Sequence, residues 1–275
     1  MVGGEFVLTN APIAIRMGNV GELAKKTNSK LIPADATKIE DLENLISDSI
    51  KILGGKIDFV LHSIGMSVNV RKGRHYTNLN HEWMTKGWDV SAVSFHKLLQ
   101  SLYKLDAMNE WSSIVALSYM AAQRVFPDYN DMADNKAYLE SIARSFGYFF
   151  GKEKNVRVNT ISQSPTPTTA GKGVKGFDSF IKYSEKMSPL GNASALDCAN
   201  YTITLFSDLT KRVTLAADTD APAWGFTKSF TIPADCLRVL GVNAYDSYWK
   251  IEGRKVVTTE SSIKLIYISQ ITDPN

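Results

Sequence analysis

Short apolar runs alternate with longer segments of mixed character over most of the chain. The runs at residues 57–62 and 113–117 are rich in β-branched residues, which is typical of strands buried in a parallel sheet. Residues 38–53 repeat apolar side chains at helical spacing and predict an amphipathic helix. Strands that alternate with helices predict an α/β fold with a parallel sheet covered on both faces. The predicted strands are 5–10, 30–33, 57–62, 113–117 and 156–161, and the predicted helices are 19–27, 38–53, about 82–103 and a further helix that opens after residue 118.

Polar residues and a glycine follow several of these strands. Ligands of parallel α/β sheets bind at the carboxyl ends of the strands, so these positions form the candidate site. Asp35 also fits a helix or turn cap, Gly65 also fits a tight turn, and residues 162–169 also fit an ordinary loop. The candidates are Asp35 after the second strand, Ser63, Ile64 and Gly65 after the third, Ser118 and Tyr119 after the fourth, and the hydroxyl-rich segment 162–169 after the fifth.

A tyrosine and a lysine form the most informative pair in the chain. Lys136 follows Tyr129 by seven positions, which in a continuous helix puts both side chains on nearly the same face. The ammonium group of Lys136 would then favour the phenolate and lower the pKa of Tyr129. A tyrosine in this setting donates a proton or hydrogen bond to a developing oxyanion. Tyr119 stands ten positions before Tyr129, at the end of the preceding strand.

Residues 118–137 as a whole resemble the active-site segment of the enoyl-acyl-carrier-protein reductases. These enzymes are the NADH-dependent branch of the short-chain dehydrogenase/reductase superfamily, and the resemblance extends from about Val2 to about Thr214. It implies a Rossmann-like doubly wound sheet and the reduction of a trans-2-enoyl group carried on acyl carrier protein. It further implies that Tyr129 stabilises the enolate formed after hydride reaches the β-carbon, that Lys136 binds the nicotinamide ribose, and that Tyr119 is the second active-site tyrosine.

The resemblance also implies an NADH site, a substrate-side helix and partners. Residues 170–187 match the helix that lies over the acyl chain in this family. The expected partner is the enoyl group on acyl carrier protein, together with further copies of the chain in a homo-oligomer. The implied cofactor contacts are Asp35, Ala36, Ser63, Ile64, Gly65, Lys136, Pro165, Thr166 and Thr168.

Two departures from the family pattern change the expectations. The family begins with a strand and a Gly-x5-Ser-x-Gly loop that receives the cofactor pyrophosphate at a helix N-terminus, and this sequence contains no such motif. Without the central first strand, two half-sheets with unpaired edges are expected, each buried unpaired group costing about 1–3 kcal/mol. Poor NADH binding is the expected consequence. The second departure is at residue 213, where the family would continue with a last strand and an Asp-Gly-Gly turn.

Residues 213–275 have a different texture of short aromatic and β-branched runs, which predicts hairpins. The strings Pro-Ala-Asp-Cys-Leu-Arg-Val-Leu and Trp-x-x-Glu-Gly-Arg-Lys-Val resemble a fragment of the phage tail tubular and gateway proteins. The sequence therefore predicts a reductase-like domain at 1–212, truncated at both ends, followed by a β-rich module at 213–275. A phage structural protein and an inactive chimera stay open as alternatives to an active reductase.

Bulk composition excludes several other classes. The net charge of +3 is spread along the chain, which favours neither nucleic acid nor a membrane surface. Cys198 and Cys236 lack metal or redox spacing, and the four histidines show no ligand spacing, so no metal is predicted. The chain shows no membrane-spanning segment and no signal peptide. A cytoplasmic protein is the resulting expectation.

Overall fold

The computed structural model describes residues 4–168, 177–206, 210–219, 226–234, 236–242, 249–259 and 262–269. The chain divides into two compact units, Met1–Phe206 and Ser207–Asn275, whereas the sequence placed the boundary after residue 212. The strand Thr210–Ala216 crosses that predicted boundary and pairs with a strand of the second unit. The first unit has the predicted α/β architecture.

Parallel strands form the centre of the first unit. In one sheet β1 (Val7–Asn10) pairs with β2 (Lys30–Pro33). In the other, β4 (Met108–Ser118) lies between β3 (Ile57–His62) and β5 (Arg157–Ser162), and both pairings are parallel. The parallel α/β class predicted from the alternating pattern is confirmed.

The parallel strands do not form one continuous sheet. Among the described residues, β1–β2 and β3–β4–β5 are separate sheets, as the sequence predicted. The helix α3 (Ile39–Leu53) connects the two sheets, because residues of its buried face pack in the cores of both. Leu42 and Leu45 pack with residues of β1 and β2, whereas Ile46, the residue after Leu45, joins the larger core around β4.

The larger core lies between β4 and the helices that cover the sheet. Its fully buried side chains include Phe95, Leu99, Ile114 and Leu139. The predicted helix at 82–103 is interrupted by one π-helical turn at Asp89–Val93. The other α-helices among the described residues are α1 (Pro12–Met17), α2 (Val20–Lys26), α4 (Val68–Arg71), α5 (His81–Trp88), α6 (Ser94–Lys104), α7 (Asp131–Lys154), α8 (Phe177–Met187) and α9 (Ala195–Phe206).

Tyr129 lies in a turn, and the prediction that Tyr129 and Lys136 share one helix face is wrong in this respect. The helix α7 begins at Asp131, and Lys136 is inside it. Asp128 and Asn130 have positive φ angles of 67° and 43°, a backbone geometry incompatible with a right-handed helix. Tyr129 therefore reaches the end of the sheet from the turn that precedes α7, and not from the helix itself.

The second unit is antiparallel, in agreement with the predicted hairpins. One sheet has the order β6 (Thr210–Ala216), β11 (Ser262–Ser269), β8 (Cys236–Val242), and the other has the order β7 (Lys228–Thr231), β10 (Lys255–Thr258), β9 (Trp249–Glu252). Phe230, Val256 and Leu265 are fully buried in its own apolar core. This unit therefore has the elements of an independent β module.

Candidate active site

A pocket of about 270 Å³ lies where β3, β4 and β5 end. Carboxyl ends of neighbouring parallel strands meet at one sheet edge, which explains why distant segments converge there. Most of the predicted site residues line this pocket, whereas Asp35 and Ala36 do not. Those that do are Ser63, Ile64, Gly65, Ser118, Tyr119, Tyr129, Lys136, Gln163, Ser164, Pro165, Thr166 and Thr168.

The two tyrosines face each other within the pocket. Tyr119 follows β4 directly, and its ring centroid is 5.0 Å from that of Tyr129. Burial raises the pKa of Tyr129 well above its usual value, with the neighbouring Tyr119 adding to the effect. Burial also raises the pKa of Tyr119. The prediction that Lys136 lowers the pKa of Tyr129 is therefore wrong: desolvation of the phenolate dominates, and Tyr129 is a neutral hydrogen-bond donor at neutral pH.

Lys136 is a buried cation at the base of the pocket. Its ammonium nitrogen donates a hydrogen bond to the Leu117 carbonyl at 2.6 Å, and burial lowers its pKa to about 8. An ammonium group has three N–H donors, so two stay available beyond the bond to Leu117. The group can hold a polar ligand, because the pocket offers it no second acceptor among the described residues.

The segment after β3 brings backbone close to Lys136. A Cβ atom at Gly65 would lie 3.3 Å from the Met132 methyl carbon and 3.9 Å from the Lys136 ammonium nitrogen. A Cβ atom here would crowd the Met132 methyl group and would stand in ordinary contact with the Lys136 ammonium group, so glycine leaves this wall of the pocket open. The interpretation of Gly65 as a point of close backbone approach is consistent with this geometry.

The loop after β5 is ordered by its own polar side chains. The Gln163 amide donates to the Thr166 hydroxyl at 2.6 Å, and that hydroxyl donates to the Ser164 carbonyl at 3.1 Å. The Thr168 amide donates to the Thr166 carbonyl at 2.7 Å. These bonds hold a hydroxyl-rich wall opposite Gly65.

Asp35 caps its own turn. One carboxylate oxygen accepts hydrogen bonds from the Thr37 amide at 3.0 Å and the Thr37 hydroxyl at 2.8 Å. These two bonds lower the pKa of Asp35. The capping interpretation is the one that the geometry shows, and a cofactor contact of Asp35 and Ala36 stays a prediction.

A buried polar network next to the pocket was not predicted from the sequence. The Asp131 carboxylate is fully buried and accepts from the Ser67 hydroxyl at 2.6 Å and from the Asn69 amide at 3.0 Å. Asn69 also donates to the Asn80 carbonyl and accepts from the Asn80 amide, both at 3.0 Å. Since Asp131 is two residues from Tyr129, the network fixes the wall after β3 against the start of α7.

Part of the apolar lining of the pocket comes from the predicted substrate-side helix. Phe177 and Phe180 of α8 line it, and the Phe180 ring centroid lies 6.5 Å from that of Tyr129. The sequence predicted a substrate-side helix at 170–187, of which residues 170–176 lie outside the described residues. His62 is not among the described residues that line the pocket. Its ring packs on Phe95, its Nε2 atom lies 3.0 Å from the Ser94 hydroxyl, and burial lowers its pKa to about 3.

The described residues contain no helix long and apolar enough to cross a membrane. Within the same residues, no group of three or more His, Cys, Asp or Glu side chains is arranged to hold a metal ion.

An α/β unit whose parallel strands bring this tyrosine pair and lysine together at their carboxyl ends is characteristic of the oxidoreductases of the short-chain dehydrogenase/reductase class. The family model for enoyl-(acyl carrier protein) reductase matches residues 2–217. The chain belongs to the enoyl-(acyl carrier protein) reductase family.

Individual relatives agree with the family match. The chain is 33% identical to enoyl-[acyl-carrier-protein] reductase [NADH] 2 of Rhizobium meliloti, with 71% of this chain and 72% of that protein aligned. It is 30% identical to the reductase FabI of Bacillus subtilis over 71% of this chain and 76% of that protein. The crystal structure of the FabI–NADH complex from Alistipes finegoldii superposes with a TM-score of 0.74, at 63% identity over 75% of this chain and 73% of that chain.

Proposed function

We propose that the chain reduces a trans-2-enoyl thioester carried on acyl carrier protein, with NADH as the reductant, in fatty acid elongation. One observation carries this proposal: Tyr129, Tyr119 and Lys136 line a single pocket at the ends of β3, β4 and β5. The names of the relatives support the reaction and the cofactor.

The residues around the pocket fit NADH at its nicotinamide end. Lys136 has two N–H donors that suit ribose hydroxyls, and the open wall at Gly65 admits a flat ring system. Thr166 and Thr168 supply polar groups on the opposite wall. When bound, the dihydronicotinamide supplies hydride to the β-carbon of the enoyl group.

Tyr129 stabilises the product of that step. Addition at the β-carbon leaves negative charge on the thioester oxygen, and a neutral phenol stabilises this charge by hydrogen bonding. Because burial keeps Tyr129 protonated, it is in the donor form at neutral pH. Tyr119 packs against it and restricts the position of its ring.

The partners and location follow the same reasoning. The natural substrate is the enoyl group on acyl carrier protein, and we propose a cytoplasmic homo-oligomer. Thr9 and Asn10, where the adenosine ribose would lie, offer no arginine for a 2′-phosphate. This composition favours NADH over NADPH.

The second unit is proposed to be a module of separate origin, similar to a phage tail tubular fragment. Its antiparallel sheets and its own core around Phe230 and Leu265 support this proposal. In that case the reductase unit does not draw its chemistry from residues 213–275.

A comparison of two thioesters tests the proposed function. With crotonyl thioester present, the purified chain is expected to oxidise NADH, and with the saturated butyryl thioester it is not, because only the first has an acceptor β-carbon. NADH oxidation is followed by absorbance. Equal rates with both thioesters, or no rate with crotonyl thioester at saturating NADH, would refute the proposal.

The pH dependence of NADH binding should report Lys136. Its pKa is lowered to about 8, so the ammonium group loses its charge as pH rises through 8, whereas an ordinary lysine keeps it to about 10. NADH affinity is therefore expected to fall between about pH 7 and pH 9 in fluorescence titrations. In Lys136→Arg, which stays charged throughout, the affinity should vary much less. An affinity of the unmodified chain that is constant over this range would contradict the assignment.

A further inference from the structure

A short basic loop borders the pocket on the side of Tyr129. We define the basic loop as residues 71–75, which contains Arg71, Lys72, Arg74 and His75 and is exposed throughout. Arg71, at the end of α4, lines the pocket itself. Gly73 has a φ angle of 61° and turns the chain at the middle of the loop.

The basic loop is held in place by its backbone. The Arg74 amide donates to the Asn69 carbonyl at 3.0 Å, and the Lys72 amide donates to the Val68 carbonyl at 2.9 Å. The Asn130 side-chain amide donates to the Arg74 carbonyl. Since Asn130 is adjacent to Tyr129, the loop is fixed beside the tyrosine end of the site.

The charge of the basic loop is not compensated in the part of the chain that the structure describes. No carboxylate there forms an ion pair with Arg71, Lys72 or Arg74. The carboxylates of α7 are occupied: Asp131 accepts from Ser67 and Asn69, and Asp134 accepts from the Tyr76 hydroxyl.

The pocket lining has the same sign of charge. The described residues that line it include two cations, Arg71 and Lys136, and no carboxylate. Lys136 is buried, whereas Arg71 is exposed. Arg71 is therefore the cation of the described pocket lining that an anionic group of a ligand can reach from solvent.

We propose that Arg71 binds the phosphate of the phosphopantetheine arm that carries the enoyl thioester. This inference rests on the proposed function, because it places the thioester at Tyr129 in the same pocket. A guanidinium group forms two parallel hydrogen bonds with a phosphate, which a neutral side chain cannot reproduce. Arg71 is thus a specificity-determining residue for substrates carried on this arm, and the remaining cations of the basic loop strengthen the local positive potential.

Two thioesters that differ only in the phosphate test the inference. Crotonyl phosphopantetheine and crotonyl pantetheine are compared for their Kd by calorimetry and for their kcat/KM. The unmodified chain is expected to favour the phosphorylated compound at least about tenfold, in keeping with charge-assisted hydrogen bonds. In Arg71→Gln the ratio of the two compounds should fall to about one, and Arg71→Lys should restore part of it.

A matched control removes a lysine far from the pocket. Lys152 lies sixteen positions after Lys136 on α7, about 24 Å along the helix. Lys152→Gln changes the net charge as Arg71→Gln does and should keep the preference for the phosphorylated compound.

Each alternative outcome is decisive. A phosphate preference that survives in Arg71→Gln overturns the inference. A loss of NADH affinity in Arg71→Gln, with the thioester ratio unchanged, would show that Arg71 binds a phosphate of the cofactor and would also overturn it. If neither thioester is turned over while the Kd ratio still depends on Arg71, the proposed function fails and the phosphate site stands.

Discussion

Replacing Tyr129 by phenylalanine is expected to lower kcat by about 10²- to 10⁴-fold, the range for losing one positioned proton or hydrogen-bond donor. The phenol is protonated because burial raises its pKa, and its removal leaves the enolate oxygen without its donor. The hydroxyl group has no hydrogen-bond partner among the described residues, so the fold should survive its loss. Steady-state kinetics with a saturating crotonyl thioester give the change in kcat, and circular dichroism checks the fold.

The control for this change is Tyr148→Phe. Tyr148 is on α7, 61% exposed, and twelve positions beyond Lys136. Removal of its hydroxyl should leave kcat within about twofold of the starting value, as for a surface substitution away from the site. A Tyr129→Phe variant that keeps more than about a tenth of the activity would show that another group stabilises the enolate.

Replacing Asp131 by alanine is expected to destabilise the first unit by about 3 kcal/mol. The change leaves the Ser67 hydroxyl and one Asn69 N–H without their buried acceptor, and each such group costs about 1–3 kcal/mol. The carboxylate also stabilises the N-terminus of α7, where negative charge is favourable. Urea unfolding followed by fluorescence measures the free energy of unfolding.

Asp48→Ala is the matched control for Asp131. Asp48 is a helical aspartate whose side chain is 52% exposed and whose ion pair with Lys51 is on the surface. Such pairs contribute between about 0 and 1 kcal/mol, so this variant should unfold almost as the parent does. An Asp131→Ala variant with the same stability as Asp48→Ala would mean that the network does not hold the pocket wall.

The sequence was sufficient to predict that residues after several strands meet at one edge of a sheet. Ser63, Tyr119 and Thr166 each follow a strand that an apolar β-branched run predicts, and parallel strands bring such positions to one edge. Asp35 follows a strand as well, but its sheet is separate from the one that carries the pocket. A position directly after a strand therefore predicts that a residue lies at the edge of a sheet. Which of these residues meet depends on which strands pair.

The position and the pKa of Tyr129 could not be predicted from its spacing to Lys136 alone. A separation of seven residues suggests one helix face only if the backbone is helical throughout, and the positive φ angle of Asn130 ends that continuity. The pKa of Tyr129 depends on how much surrounding protein desolvates it, which is a property of the packed structure. The sign of the predicted shift was wrong for this reason.

The polar network around Asp131 shows a different limit. Ser67 and Asp131 are 64 positions apart and meet only because α4 packs against α7. Neither residue belongs to a recognisable motif, so no local pattern could have paired them. The one available signal was Asp131 itself, a charged residue directly before the apolar positions of α7. An aspartate at that position is equally well explained by the favourable effect of negative charge at a helix N-terminus.

The central claim is that hydride reaches the β-carbon of an enoyl thioester in this pocket. The most direct measurement is mass spectrometry and NMR of the thioester after incubation with NADH that carries deuterium at both C4 positions. The account predicts a saturated butyryl thioester with one deuterium, at the β-carbon, and at most about a hundredth as much of it in the Tyr129→Phe sample over the same time. Recovery of unreacted crotonyl thioester at saturating NADH, or deuterium at any other carbon, would contradict it.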